Sequence, residues 1–74
     1  IKGLIMGQVV QEKLNYFIIN IIINNNYVKK NDLVIINRLK NKVSKYLEIK
    51  INYVKKIPLN NNGKYQAIIS KLKK

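Results

Sequence analysis

The sequence contains no cysteine and no histidine, so disulfide staples and the usual zinc ligand sets are excluded. The missing thiols fit a reducing compartment, and the cytoplasm is the expected location. Acidic residues are scarce too: Glu12, Asp32 and Glu48 are all there are. No carboxylate pair, no Cys/His couple and no Ser-His-Asp set can be assembled from such a composition. Long hydrophobic runs are also absent. The most apolar stretch, YFIINIII at 16–23, contains Asn20 in its middle and falls far short of the roughly 20 residues a membrane-crossing helix needs. It lacks the position and cleavage pattern of a signal peptide. No membrane partner is expected, and the run reads as a core strand.

What the chain does have is lysine. Fifteen basic residues against three acidic ones give a net charge of +12, and Arg38 is the single arginine. Such a field attracts nucleic acid, anionic lipid or phosphorylated ligands. Lysine, asparagine and isoleucine are also what A/T-rich codons supply, so composition bias explains the same charge without a partner. With 74 residues there is one small domain at most, burying only about 60% of the surface its unfolded form exposes. The chain opens on Ile1 rather than methionine, as a processed product or a piece of something longer would.

Along the chain, QVVQ at 8–11 reads as a short strand, with a tight connection around Glu12-Lys13 to a longer one at about 15–24. In the second, Phe17, Ile19, Ile21 and Ile23 share one face, and Tyr16, Ile18 and Ile22 the other. Apolar character on both faces predicts a central strand, and the pair predicts an antiparallel hairpin. Asn24, Asn25 and Asn26 stop it, because asparagine tolerates left-handed angles and competes for backbone hydrogen bonds. Asn31 or Asp32 then caps a helix of about 32–47. Leu33, Ile36, Leu39, Val43 and Leu47 form its apolar stripe, with Arg38, Lys42 and Lys45 on the opposite, solvated side. EIKINYV at 48–54 alternates as a strand with Ile49, Ile51 and Tyr53 inward. Pro58 ends it, since proline cannot donate to a ladder. A loop at 58–64 precedes a short extended segment at about 65–69.

The expected fold is therefore α+β: a small antiparallel sheet with one helix, in the order ββαβ(β). That order is the latter part of a ferredoxin-like βαββαβ sandwich lacking its first strand and helix. Residues 1–74 form a single small domain on this reading, a fragment of a larger protein.

The loop is the most specific part of the sequence. Asn62-Gly63 between extended segments is the strongest short hairpin signal, and on that ground Lys64 is an ordinary residue after a turn. Three stretches in order say more: QVVQEKLNYFIINII at 8–22, EIKINYVKKIP at 48–58 and NGKYQAIISKL at 62–72. Together they resemble the C-terminal domain of adenylate-forming enzymes. The closest branch is the phenylacetate–CoA ligase-like group, which includes capsular polysaccharide biosynthesis-type proteins. The shared features are the Gln-Glu-Lys-Leu turn, Ile57-Pro58, Gly63-Lys64 and the closing Ile69-Ser70-Lys71-Leu72. Members of that group commonly carry Arg-Thr and a serine between the proline and the glycine, where this chain has Leu59 and the asparagines 60–62. An arginine frequent near Gln66 is also missing.

The resemblance implies a lid. In that family a large N-terminal adenylation domain binds ATP and a carboxylic acid. The small domain closes over it and supplies one loop lysine to the formation of an acyl-adenylate and pyrophosphate. By position that lysine is Lys64, with Gly63, Pro58 and Asn62 positioning the loop. The small domain alone is expected to hold no cofactor and to show no activity; ATP and Mg are implied for the full-length protein. Two other readings stand beside it. One is a basic nucleic-acid-binding module, although neither a Gly-x-x-Gly loop nor an RRM aromatic motif is present. The other is a homodimerising module paired through an uncovered sheet edge.

Overall fold

A computed structural model describes residues 1–72. The chain forms β1 (Leu4–Lys13), β2 (Tyr16–Ile23), α1 (Asn31–Lys42), β3 (Glu48–Tyr53) and β4 (Ile68–Ser70). The fold is α+β in the expected order, with one four-stranded sheet ordered β3-β2-β1-β4. Strands β1 and β2 form the antiparallel hairpin, whereas β3 lies parallel to β2 and β4 parallel to β1. The sheet is thus mixed. A helical crossover returns the chain in the direction it left, and β3 lies directly against β2. At the two ends of this pairing the Glu48 N–H donates to Asn15 O and the Val54 N–H to Ile21 O, both at 2.8 Å.

Strand β2 is central, as its two apolar faces require. Phe17, Ile19 and Ile21 are buried on one face, Ile21 to 1% exposure. The alternation in β1 extends further than QVVQ suggests, and the hairpin turns at the two residues Leu14 and Asn15, with Lys13 facing Tyr16. Asn24 makes the next turn through its side chain, not through a left-handed backbone. Its Oδ1 accepts the Asn26 N–H at 2.8 Å, and among the described residues no non-glycine has positive φ.

The helix departs from expectation in three respects. It ends at Lys42, because the hydroxyl of Ser44 captures the Tyr46 N–H at 3.1 Å and starts a turn. Leu47 is then buried (4% exposed) from the connector, while Leu33 and Val43 stand 64% and 56% exposed. The side facing the sheet carries Ile35 and Leu39, and Arg38 and Lys42 border the same groove instead of the far side. No residue of α1 is fully buried. Finally, neither Asn31 nor Asp32 caps it. Lys30 occupies the cap position without a side-chain bond. The N–H groups of Asn31, Asp32 and Leu33 instead find the carbonyls of Val28, Lys29 and Lys30, three residues back.

Asp32 is thereby free for a longer-range task. Its Oδ1 accepts the Tyr27 hydroxyl, and its Oδ2 accepts the Tyr53 hydroxyl at 2.5 Å. The two rings meet edge to face with centroids 6.1 Å apart. One carboxylate so fastens the β2–α1 turn, the helix start and β3. The bond to Asp32, followed by partial burial, pushes the Tyr53 hydroxyl up to about 12. Burial and then the same carboxylate raise Tyr27 further. Both groups favour the protonated folded state relative to an unfolded phenol titrating near 10. Their contribution is therefore complete below about pH 10; the Tyr53 part is lost as pH rises toward 12 and the Tyr27 part at higher pH still. The urea midpoint of the chain should fall across that interval, and more steeply than that of Tyr53→Phe. Parallel curves for the two proteins would contradict the linkage.

Among the described residues no helix is long and apolar enough to cross a membrane.

Candidate functional site: the 60–64 loop

Between Val54 and β4 the chain leaves the sheet, and its two ends are fixed by different means. Before the loop, Ile57 is buried. After it, Tyr65, Gln66 and Ala67 attach in succession to β1. The Tyr65 hydroxyl donates to Gly7 O, Gln8 Nε2 donates to Gln66 O at 3.0 Å, and the Val9 N–H donates to Ala67 O at 2.8 Å. Strand β4 then continues in register, Val9 opposite Ile68.

Asn60 organises what lies between. Its carbonyl accepts the Gly63 N–H at 2.9 Å and its own N–H donates to Lys64 O at 2.8 Å. Its Oδ1 accepts two further backbone donors, the N–H groups of Asn62 and Lys64, each at 2.9 Å. Gly63 has φ 75° while Asn61 and Asn62 keep negative φ. That is the pattern of a type I turn followed by a left-handed glycine, with asparagine and glycine at their favoured first and fourth positions. The two-residue turn suggested by Asn62-Gly63 is not formed, because it would need positive φ at Asn62. A Cβ on Gly63 would meet nothing within 4 Å. The glycine therefore serves the backbone angle and not a close approach.

Lys64 consequently has both backbone groups engaged by Asn60 while its side chain is exposed. The one ion pair among the described residues is Lys71 with Glu12, at 3.0 Å. Asn62 contributes its N–H, and among the described residues its side chain makes no hydrogen bond. Pro58 and Leu59 are exposed on the approach to the turn. The expected site residues Gly63, Asn62 and Lys64 thus share one hydrogen-bonded ring, with Pro58 outside it. The resemblance does not mark Asn60 as a positioning residue. Its signal was legible as an asparagine three residues before the glycine.

Asn60→Ala should free these donors at a cost of about 1 to 2 kcal/mol in local order. Amide exchange at Asn62 and Lys64 should then accelerate by about tenfold while β1 and β2 stay protected. Unchanged exchange at Lys64 would mean that the turn is held by something other than Asn60.

No group of three His, Cys, Asp or Glu side chains that could hold a metal ion occurs among the described residues.

A model of the CapK C-terminal domain family matches residues 1–71. No match was found among curated proteins or among solved structures. With nearly all of the sequence covered, from the N-terminal approach to β1 through the residue after β4, the chain belongs to the CapK C-terminal domain family.

Proposed function

We propose that this domain is the C-terminal lid of an AMP-forming, acyl- or aryl-CoA ligase-like protein, and that Lys64 is the residue it delivers. A carboxylate oxygen of the acid attacks the α-phosphorus of ATP, the bond to the β-phosphate bridging oxygen breaks, and pyrophosphate leaves with that electron pair. Negative charge builds on the oxygens around the α-phosphorus during this transfer. Nucleotidyl transfer of this kind is accelerated mainly by positioning and by preorganised positive charge. Lysine suits the task because it carries a compact charge on a long stem. ATP, Mg and the acid belong to the large adenylation domain, the partner of this lid.

The observation that supports the reading is the asymmetry at Lys64: a backbone fixed on both sides by Asn60 and a side chain left exposed. A lid that must carry one cation into another domain's cleft needs a rigid base and an uncommitted tip. The test is acid-dependent ATP–pyrophosphate exchange by the intact protein carrying Lys64→Ala. Undiminished exchange overturns the proposal.

A further inference from the structure

The face of the sheet away from α1 carries a second arrangement, separate from the 60–64 loop. In register across three strands, Asn52 of β3 faces Asn20 of β2, which faces Gln8 of β1. All three line one concavity of about 350 Å³. Asn52 Nδ2 donates to Asn20 Oδ1 at 3.3 Å. Gln8 is only 6% exposed despite its polarity and spends one N–H on Gln66 O. Among the described residues no further side-chain bond is made within the row. Asn20 thus keeps its N–H₂ group for a ligand, and Asn52 keeps its carbonyl.

The neighbouring row is of a different character. Lys50, Ile18, Val10 and Ile69 follow one another across the four strands by register. Ile18, Val10 and Ile69 line the same concavity. Lys50 is exposed at one end of the row, and Lys71, paired with Glu12, stands near the other. An apolar strip therefore lies beside a strip of uncharged donors and acceptors, with the Lys50 cation at one end and the Lys71–Glu12 ion pair at the other.

This combination selects against a packed helix. Covering the row with apolar side chains would strand buried carboxamide groups without partners, and nothing in an apolar helix face restores those bonds. It selects for a flat ring that rests on isoleucine and valine and offers donors and acceptors along its edge, with a negative charge attached. Asparagine and glutamine carboxamides meet the edges of nucleobases in this way, and a cavity of this size lies in the range of small-ligand sites. We propose that this face binds a nucleobase bearing its phosphate, read by Asn20 and Asn52 with Gln8 as the buried end of the row. The base rests on Ile18, beside the buried Val10, and its phosphate is held by Lys50, the register partner of Ile18. No aromatic residue lines the concavity, so edge hydrogen bonding rather than stacking provides the discrimination. The site is independent of Lys64 and of the lid reading.

Free nucleotides and single strands share this chemistry, and binding measurements on the 74-residue chain at moderate salt separate them. The probes are uridine and adenosine monophosphates, a short labelled single strand, and an abasic strand with the same number of phosphates. The base-bearing strand should bind at least tenfold more tightly than the abasic one. Asn20→Ala and, separately, Asn52→Ala should each weaken it by about tenfold while leaving the abasic strand unaffected. Asn52 lies on the edge strand, so its variant keeps the test informative if Asn20→Ala fails to fold. Equivalent losses with the monophosphates identify a free nucleotide as ligand; losses confined to the strand identify single-stranded nucleic acid. Equal affinity for base-bearing and abasic strands overturns the proposal and leaves only charge attraction. So does indifference to Asn52→Ala, or the absence of binding by every probe.

Discussion

Trimming Lys64 to alanine in the intact protein should lower the rate of acyl-adenylate formation by about 10² to 10³, the loss of roughly 3 to 4 kcal/mol expected for one preorganised donor at a developing oxyanion. On the proposed lid role the ammonium meets its partners only once the cleft is closed. The fall should therefore appear in kcat, with KM for ATP little changed. Lys64→Arg should restore only part of the rate, since a planar fork on a differently hydrated head does not replace a point charge. A thiol reaction started from preformed acyl-adenylate bypasses the step and should proceed at its normal rate. A uniform loss in both half-reactions would point to a damaged domain and not to a missing charge.

The largest stability effect is expected at the other end of the chain, from Gly3→Ala. Gly3 has φ 83°, and a Cβ there would stand 2.2 Å from Tyr27 N and 2.5 Å from Tyr27 Cα. These are backbone atoms, and the turn that carries them is tied back by the Asn24 N–H bonded to Gly3 O at 2.9 Å. No side chain can swing away to make room. The left-handed angle alone costs about 1 to 2 kcal/mol, and the overlap adds to it, for a total of about 4 kcal/mol. That is a large share of the stability a domain of this size commands. Gly63→Ala is the control, with nearly the same φ but open space around it. It should cost only the angle term. Urea unfolding of the two variants measures the difference, and equal midpoints would contradict the steric account.

Much of this architecture was legible in periodicity. The alternation in 16–23 and 48–54 located β2 and β3, and NNN marked a turn. The helix was visible but its rotation was not, because Leu39 belongs to two stripes: one with Leu33, Ile36 and Val43, the other with Ile35 and Lys42. Only the sheet beneath could choose between them. Asp32 looked like a cap because local rules see its neighbours in sequence; Tyr53, which claims it, lies 21 residues away. The start of β1 was hidden by Gly3 and Gly7 breaking the pattern. The last strand begins at Ile68, later than the extended segment at 65–69 suggests, because Tyr65 and Gln66 fasten the loop to β1 rather than pair along it. At the candidate site the glycine and lysine were legible by resemblance, and the asparagine that holds them was legible only as turn chemistry.

The attachment of residues 65–67 to the middle of β1 has a mechanical corollary. With that attachment on one side and the buried Ile57 on the other, the loop has little freedom to wander by itself, so in the proposed lid Lys64 travels as the tip of a paddle. Wherever the pivot lies, a modest rotation there sweeps the ammonium through a fixed arc, and stiffness of the blade converts an angle into a position.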